Sequence, residues 1–347
     1  MSKTALPRVS VAVASYNYAR YLEPCVRSAL SQRHVDLEVI IVDDASTDES
    51  VKVAQKLADE DARVQLIVHR ENEGHIATFN EALRRTTGDF VVKLDSDDML
   101  TPGALHRGAQ VLRDYPTVGM VYGNPLTFED QLPAANTVST GLSVWNGHRW
   151  LRRRCTLATN CIMQPETMVR RSVLHRTGGH RANVPAAHDL NLWLRIAAIS
   201  DVARIRGADQ GYYRVHSASL LRTSFAGYLS DLRQRLAAFD DFYETCDSRL
   251  FSQLKGESLQ ARTHRRLAQQ AVLYAKRNYF TLEEADRSAY VTFALDTSPK
   301  IVESALWQGF RQRERMDHLG SSSPDPLERV YRIQDALTWR WWRRFGV

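Results

Sequence analysis

Three carboxylates stand within four positions of one another at the end of an apolar stretch of the chain. The segment "FVVKLDSDDML" (90–100) begins with apolar residues and then places Asp95, Asp97 and Asp98 together. Carboxylates this close repel one another, and burying them unpaired would cost free energy. Mg²⁺ or Mn²⁺ would offset the repulsion, because both ions prefer carboxylate oxygens and are often shared with substrate phosphates. We therefore expect these acids to hold a divalent cation and the cation to hold a diphosphate.

A second pair of acids closes another apolar run. Asp43 and Asp44 follow "LEVIIV" directly. In a parallel sheet covered by helices, ligands bind beyond the carboxyl ends of the strands. Because Asp95 and Asp97 end one predicted strand and this pair ends another, the four acids predict a ligand site along one rim of a sheet.

Each acidic group also has an interpretation without a ligand. Ser46-x-x-Glu49 matches a capping box, so the two acids before it could simply favour the N-terminus of the next helix. The acids at 95–98 could form a solvated turn before Thr101-Pro102. The number of acids at one rim favours the ligand site.

The elements that must hold these acids alternate between strand and helix patterns. The predicted strands are 9–14, 37–44, 64–69 and 89–95, and the predicted helices are 19–32, 48–61 and 77–86. Continuous apolar strands between amphipathic helices are typical of an α/β fold with a mostly parallel sheet covered on both faces. The sequence has no G-x-G-x-x-G after the first strand and no G-x-x-x-x-G-K-[ST], which argues against a dinucleotide-binding site and a P-loop.

The rest of the chain changes character twice. Residues 120–150 carry several glycines and prolines and predict loops and short strands, whereas 188–199 predict a helix and 212–216 a strand. After about residue 222 the strand signals fade. Three later segments have helical spacing, 228–244, 262–280 and 326–345, with a linker at 320–326. We therefore place a domain boundary near residue 222 and predict a helical region over 223–347.

Composition limits the class of protein. The chain has 347 residues, 25% of them charged and 44% hydrophobic, with a formal net charge of +6. This composition is that of a globular protein, and the mildly basic balance suits anionic substrates or a membrane surface without indicating nucleic acid. Four sparse cysteines without a CxxC pair indicate reduced thiols. No signal-peptide pattern and no run of the ~18 apolar residues that a span needs is present, so we expect a cytoplasmic protein that is not integral to a membrane.

Several motifs in order resemble glycosyltransferase family 2, whose GT-A fold is Rossmann-like. The matching segments are "VSVAVASYN", "VIIVDDASTDES", "NEGHIATFNEAL", "GDFVVKLDSDDMLTPGAL" and "AAHDLNLWLRIA", within residues 9–219. The resemblance implies an inverting, metal-dependent enzyme that moves a sugar from a nucleoside diphosphate sugar, a UDP- or dTDP-sugar, to a hydroxyl of a glycan or lipid-linked acceptor. It also implies a role in making cell-surface polysaccharide or another glycoconjugate. The catalytic domain would span 1–222, with a nucleotide-sugar half to about residue 100 and an acceptor half from about 101.

The resemblance further implies a role for each matching residue. The nucleotide-sugar contacts would be Ala14, Ser15, Asn17, Asp43, Asp44, Asp95 and Ser96, the metal ligands Asp97, Asp98 and His216, and the general base Asp189. In the D-x-D pair the first acid would face the ribose and the second the Mg²⁺ or Mn²⁺. Two departures are visible: Phe79 stands where many members have Arg, and His188 replaces the acid that often precedes the base.

The implied chemistry is a single displacement. The acceptor hydroxyl attacks the anomeric carbon from the face opposite the diphosphate, the cation offsets charge on the diphosphate, and Asp189 takes the proton. Simpler interpretations remain, since Asp189 could be the N-cap of its helix and His216 an ordinary packed or surface histidine. A sugar-phosphate nucleotidyltransferase is a second function, but the segment after the first strand lacks a Gly-rich loop. A third function is a non-catalytic nucleotide-sugar-binding or scaffold protein. The presence of Asp44, Asp95, Asp97 and Asp189 together argues against it.

The C-terminal tail "TWRWWRRFGV", which begins at Thr338, interleaves three Trp with three Arg. Such a segment suits a membrane interface, where aromatic rings lie at headgroup level and Arg meets anionic lipid. Peripheral contact with the inner face of the cell membrane would bring the enzyme to a lipid-linked acceptor. The alternative is that these Trp pack on the rest of the protein or in a dimer contact.

Overall fold

The computed structural model describes residues 5–216 and 227–318. The chain forms two compact units, one of residues 1–150 and 161–223 and the other of residues 151–160 and 224–347. The segment 151–160 belongs to the unit of the C-terminal helices, although the sequence placed it in the first domain. The boundary predicted near residue 222, the linker at 320–326, the helix predicted at 326–345 and the Trp/Arg tail lie outside the described residues.

The first unit alternates strands and helices. Its strands are β1 (Arg8–Ser15), β2 (Asp36–Asp43), β3 (Val64–Val68), β4 (Phe90–Asp95), β5 (Met99–Leu100), β6 (Val118–Phe128), β7 (Gly141–Trp145), β8 (Met168–Arg170) and β9 (Asp201–Arg214). Its helices are α1 (Ala19–Leu30), α2 (Ser50–Glu60), α3 (His75–Arg85), α4 (Ala104–Asp114), α6 (Arg171–Thr177) and α7 (His188–Ile199), and α5 (Gly147–Leu157) begins in this unit. Each helix predicted in the first hundred residues is present, and its ends lie within two residues of the prediction.

The strands of the described part form one mixed sheet in the order β3-β2-β1-β4-β8-β6-β9-β5, with β7 added on β9. β1 to β4 are parallel, as are β6 and β9, whereas β5, β7 and β8 run antiparallel to their neighbours. The parallel strands bury apolar side chains almost completely, as at Val11, Ile41 and Val92. The predicted α/β fold with a mostly parallel sheet flanked by helices is confirmed.

The prediction of loops and short strands over 120–150 is wrong for its first part. β6 is a strand of 11 residues. Gly123 and Pro125, interpreted as turn signals, lie at irregularities in the register between β6 and β9. A Cβ on Gly123 would lie 2.3 Å from Gln210 Cγ, so the glycine permits a close approach between the two strands. These residues therefore mark a bulge in a strand.

The second unit is helical where it is described. Its helices are α8 (Tyr228–Thr245), α9 (Ser248–Leu254), α10 (Gly256–Arg277), α11 (Glu284–Thr297) and α12 (Ala305–His318), with a 3₁₀ turn at Pro299–Glu303. Phe239, Leu267 and Val272 are completely enclosed in its core. The predicted helical C-terminal region is confirmed. None of the helices in the described ranges combines the length and the apolar character needed to cross a membrane.

Candidate active site

The carboxyl ends of β1, β2 and β4 meet at one edge of the sheet. On one side of β1, Ser15 at its end pairs with Asp43 at the end of β2. On the other side of β1, Ala14 pairs with Asp95 of β4. The Asp44 N–H donates to the Ser15 carbonyl oxygen (2.8 Å) and extends the pairing by one residue. Since neighbouring strands lie about 4.8 Å apart, the register brings these five predicted nucleotide-side residues onto one continuous edge.

Asn17 ties the loop after β1 to the loop after β2. Its backbone has φ of +57°, in the left-handed region that Asn tolerates better than most residues. Its Oδ1 accepts the backbone N–H groups of Thr47 (2.8 Å) and Asp48 (3.3 Å), and its own N–H donates to Ser46 Oγ (2.9 Å). Asn17 thus shapes the rim of the site, and its contact with the nucleotide stays a prediction.

Asp43 is completely buried and is bonded to Ser46. Its Oδ1 accepts the Ser46 N–H (2.8 Å) and its Oδ2 accepts the Ser46 hydroxyl (2.7 Å). α2 begins only after Glu49, whose side chain makes no capping hydrogen bond. The capping-box interpretation is therefore wrong, and Asp43 instead closes a local turn of the kind that Asp side chains favour.

Asp44 connects three segments behind the edge. Its Oδ1 lies 2.8 Å from His69 Nδ1 and accepts the Glu73 N–H (2.8 Å), while its Oδ2 accepts the Gly74 N–H (2.9 Å). The residue is only 2% exposed. The carboxylate of Asp44 therefore holds the segment that leads into α3. Its predicted contact with the base or ribose would use the lone pairs that these hydrogen bonds leave unused.

The acids after β4 are enclosed by the end of β9. Asp97 Oδ2 lies 2.8 Å from His216 Nε2. Asp98 is 1% exposed, and its Oδ1 accepts the Arg214 backbone N–H (2.8 Å). The Arg214 Nε donates to the Asp97 carbonyl oxygen (3.0 Å). The structure thus brings His216 to the predicted metal ligands from 119 positions away, which is more than an ordinary surface histidine would do. Ser96, between these acids, is buried.

The electrostatics of this loop favour an added cation. Burial raises the pKa of Asp98 well above its usual value, and the charges of Asp97 and Asp95 raise it further. Burial and Asp95 also raise the pKa of Asp97, opposed by its hydrogen bond to His216. Asp98 Oδ2 is buried and has no hydrogen-bond partner among the described residues. A cation at this oxygen would satisfy it and relieve the repulsion, so the residues present fit Mg²⁺ or Mn²⁺.

A complete protein cage for a metal is not formed. No group of three or more His, Cys, Asp or Glu in residues 5–216 and 227–318 is arranged to hold an ion. Mg²⁺ commonly binds through one or two carboxylates together with waters and substrate phosphates. The described site therefore fits an ion that arrives with its phosphate-bearing ligand.

Asp189 lies in the first turn of α7, directly after His188. The N-cap position belongs to Ala187, and the Asp189 Oδ1 accepts the N–H of the adjacent Leu190 (2.7 Å). The interpretation of Asp189 as the N-cap is therefore wrong. Its role as general base stays a prediction, which its place at the acceptor-side helix permits.

The hydroxyl of Tyr213 on β9 is affected by four carboxylates, those of Asp95, Asp97, Asp98 and Asp189. Burial raises the pKa of its hydroxyl, and the charges of Asp98, Asp95, Asp97 and Asp189 raise it further, in that order. The acid loop after β4 and the predicted base on α7 therefore act in the same direction on the pKa of this hydroxyl.

The histidine cluster, consisting of His75, His180 and His188, adjoins Asp189 and was not expected from the sequence. Nδ1 of His180 lies 2.9 Å from Nδ1 of His188, and His75 Nε2 donates to the Pro185 carbonyl oxygen (3.0 Å). His180 is 4% exposed. Burial lowers the pKa of both paired histidines well below the usual value. The pair therefore consists of neutral rings, one donating and one accepting a proton at Nδ1.

Lys93 is a second site residue that the sequence interpretation missed. It lies on β4, is 8% exposed, and its Nζ donates to Asp95 Oδ1 (2.9 Å). The ammonium also lies 3.7 Å from the centre of the Phe79 ring on α3. The signal was a charged residue inside the apolar run of residues 90–94, since lysine is seldom buried without a partner.

Comparison with known proteins places this geometry in context. Residues 10–178 match the family model described as "Glycosyl transferase family 2". Chondroitin synthase of Pasteurella multocida is 31% identical over 195 residues, which cover 56% of this chain and 19% of that protein. The chain covers about half or less of the length of the first curated relatives it matches.

Two solved structures share the fold. The Staphylococcus aureus TarS fragment 1–349 in complex with UDP-GlcNAc has a TM-score of 0.54 at 14% identity, covering 85% of this chain and 92% of that one. The mannosyltransferase PcManGT of Pyrobaculum calidifontis, in complex with GDP-Man and Mn²⁺, has a TM-score of 0.56 at 22% identity, covering 86% and 88%. At these identities the likeness shows the fold, which is GT-A.

Proposed function

Because residues 10–178 belong to glycosyltransferase family 2, we propose that this chain transfers a sugar from a nucleoside diphosphate sugar to an acceptor hydroxyl, with inversion and with the help of Mg²⁺ or Mn²⁺. The observation that carries the proposal is the acid loop of Asp95, Asp97 and Asp98, closed by β9. In that loop a buried carboxylate oxygen of Asp98 lacks a partner. A diphosphate with its cation supplies what this loop lacks.

The donor would lie along the edge formed by β1, β2 and β4. Ala14, Ser15 and Asp43 line that edge by register, and Asp95 ends it. Asp97, Asp98 and His216 would hold the cation, which offsets charge that develops on the leaving diphosphate. Arg214 adds a positive charge beside the same loop, since its Nε donates to the Asp97 carbonyl oxygen at 3.0 Å. The rings of Tyr21 and Phe128 hold its guanidinium, whose carbon lies 4.6 Å and 4.3 Å from their centres.

The acceptor would be activated by Asp189. A carboxylate in the first turn of α7 can accept the proton of an attacking hydroxyl, and such a base typically contributes ~10²–10⁴-fold to the rate. Attack from the face opposite the diphosphate inverts the anomeric carbon in one step, so no protein nucleophile is required. The neutral His180–His188 pair leaves the neighbourhood of Asp189 without an added imidazolium charge.

The relatives support the proposed substrate classes. The structural neighbours were solved with UDP-GlcNAc and GDP-Man, so a guanosine donor belongs beside the expected UDP- and dTDP-sugars in any panel. A chondroitin synthase among the relatives supports a glycan acceptor and a role in polysaccharide synthesis. We further propose that 1–222 forms the catalytic domain and that the enzyme acts in the cytoplasm, where it reaches lipid-linked acceptors at the inner face of the membrane.

Calorimetric titration tests the donor site directly. The purified protein is titrated with UDP, UDP-sugars, dTDP-sugars and GDP-Man, once with Mn²⁺ and once with EDTA, beside Asp97→Ala. We expect binding of at least one nucleotide that needs Mn²⁺ and is lost in Asp97→Ala. Tight binding that EDTA does not change would contradict the role given to the cation. Absence of binding to every nucleotide would favour the scaffold function.

The variant Asp189→Asn separates catalysis from binding. The amide has nearly the same shape as the carboxylate but cannot take the proton. We expect unchanged donor affinity and a loss of transfer of roughly 10²–10⁴-fold. Equal transfer rates for the variant and the unmodified protein would remove Asp189 from the mechanism.

A further inference from the structure

Lys93 places a positive charge inside the sheet, directly behind the acid loop. Residues two apart on a strand point to the same face, so Lys93 and Asp95 extend from β4 side by side. Their side chains are unequally exposed, 7% for Lys93 and 31% for Asp95. The ammonium is therefore enclosed, while part of the carboxylate faces outward at the edge where the strands end.

Stability does not explain a lysine at this position. The other residues of β4 before Asp95 are Phe90, Val91, Val92 and Leu94, all buried. Replacing a buried ion pair by apolar residues of similar size is often neutral or stabilising. An apolar side chain at position 93 would continue this pattern and pack on Phe79, whose ring centre lies 3.7 Å from Lys93 Nζ.

The pair instead fixes the orientation of one carboxylate oxygen. Lys93 Nζ donates to Asp95 Oδ1 at 2.9 Å, a charge-assisted hydrogen bond, which is about twice as strong as a neutral one. With Oδ1 held by the enclosed ammonium, Oδ2 is the oxygen that we expect a ligand to meet. The ring of Phe79 adds a cation–π contact that holds the ammonium in place.

We propose that Lys93 is a positioning residue of the donor site, which acts through Asp95 by holding its Oδ1 so that Oδ2 receives the nucleotide. This inference rests on the proposed function, because it needs a donor at the edge of the sheet. Lys93 does not touch the donor itself. Removing it should therefore weaken donor binding only as long as Asp95 is a carboxylate.

A double-mutant cycle with calorimetry in Mn²⁺ tests the coupling. Lys93→Met keeps the length of the side chain and removes its charge, and Asp95→Asn removes the charge of the partner. Each single variant should bind UDP or the best donor roughly 10–100-fold more weakly, as expected for one charge-assisted hydrogen bond. The double variant should bind no more weakly than Asp95→Asn alone. Lys93→Arg, which keeps the charge, should restore most of the affinity.

The remaining variants guard against trivial outcomes. Arg63→Met removes one charge from an exposed ion pair with Asp61 and should leave donor affinity unchanged. Circular dichroism checks folding, and Lys93→Gln replaces Lys93→Met in the cycle if the latter does not fold. Additive losses in the double variant, or Lys93→Met binding as well as the unmodified protein, would overturn the inference alone. An unmodified protein that binds no nucleotide would contradict the proposed function, which is a different result.

Discussion

The carboxylates at the edge of the sheet differ in what already binds them. Asp43 and Asp44 have both oxygens bonded to protein donors. Asp98, by contrast, keeps a buried oxygen without a partner in the described part of the chain. Acids of the first kind hold the loops in place, whereas we propose that acids of the second kind bind the cation that arrives with the donor. Residue type alone does not separate the two kinds.

Opposite effects on stability should distinguish the two kinds of acid. Asp44→Asn places an amide N–H₂ against the backbone N–H of either Glu73 or Gly74, since different oxygens of Asp44 accept these two groups, and the lost bond should cost about 1–3 kcal/mol. Asp98→Asn removes a buried carboxylate whose pKa is raised by burial and by the charges of Asp97 and Asp95, so the stability of this variant in EDTA should be unchanged or higher. Thermal unfolding measures both. A loss of melting temperature in Asp98→Asn as large as that in Asp44→Asn would contradict this distinction.

The His180–His188 pair should make stability depend on pH. Burial lowers the pKa of both rings, and Lys93 on β4, Arg195 on α7 and His75 on α3 act in the same direction on His180. A histidine with a depressed pKa contributes stability that is complete above its unfolded pKa of about 6.5. That contribution is lost as the pH falls further, because the unfolded chain then binds more protons.

The contribution of the His180–His188 pair to stability is measured as the difference between the pH profiles of the unmodified protein and of His180→Gln. Asp98 and Glu166 have raised pKa values and act with the opposite sign, so the total pH profile is not informative by itself. We expect the melting temperature of the unmodified protein to fall more steeply between pH 7.5 and 5.5 than that of His180→Gln. Parallel profiles would show that the pair is charged or exposed in solution.

At the scale of elements, the start of α5 meets the end of α7 without room for a side chain. A Cβ on Gly147 would lie 2.0 Å from the Ser200 carbonyl oxygen and 2.2 Å from that of Ala197. Both atoms belong to the backbone and cannot turn away. Glycine is thus required where α5 begins beside the helix that carries Asp189.

The same chemical change should have opposite effects at two glycines. Gly147→Ala should destabilise the first unit by about 1–3 kcal/mol or more, because the clash is with backbone. Gly309→Ala, on α12, would meet only the flexible end of Lys276 at 3.3 Å and should stabilise its helix by up to ~1 kcal/mol. Calorimetric melting of both variants gives the signs. Equal shifts in the same direction would contradict the steric argument.

The sequence predicted helices and strands well where the spacing of apolar residues agrees with the burial of those residues in the structure. The apolar runs ending at Asp43 and Asp95 are strands because fully buried parallel strands need continuous apolar residues. β6 was missed because Gly123 and Pro125 are turn signals locally, and only the approach of Gln210 from β9 makes them part of a bulge. Contacts between distant segments decide such cases.

The same distinction applies to the site, where motifs identify some residues and contacts between distant segments decide the others. The D-x-D acids and Asp189 could be named because motif order carries them. The bonds of Asp44 to Glu73 and Gly74 could not, since they depend on how the α3 entrance folds back to β2. The pairing of His180 with His188 across eight positions depends on the loop between α6 and α7, for which the sequence offers no period.

At the scale of the whole molecule, we propose that the Trp/Arg tail makes the contact with the membrane. The tail, 338–347, carries three Arg in a chain of net charge +6, and interfacial binding grows with both apolar area and attraction to anionic lipid. The intact protein should sediment with anionic liposomes at low salt, and a variant ending at residue 337 should sediment several-fold less. Neutral liposomes serve as the control. Equal sedimentation of the two proteins with anionic liposomes would end the membrane proposal.

The register of β1, β2 and β4 also sets the distance between Asp43 and Asp95. β1 lies between β2 and β4, so the acid that ends β2 and the acid that ends β4 stand two strand spacings apart, about 10 Å. That distance is a property of the backbone and is the same whichever side chains occupy the ends. For the donor site that we propose, the backbone of the sheet therefore sets the length that the nucleotide spans, and substitutions at either end should change how tightly a nucleotide binds but not how long it must be.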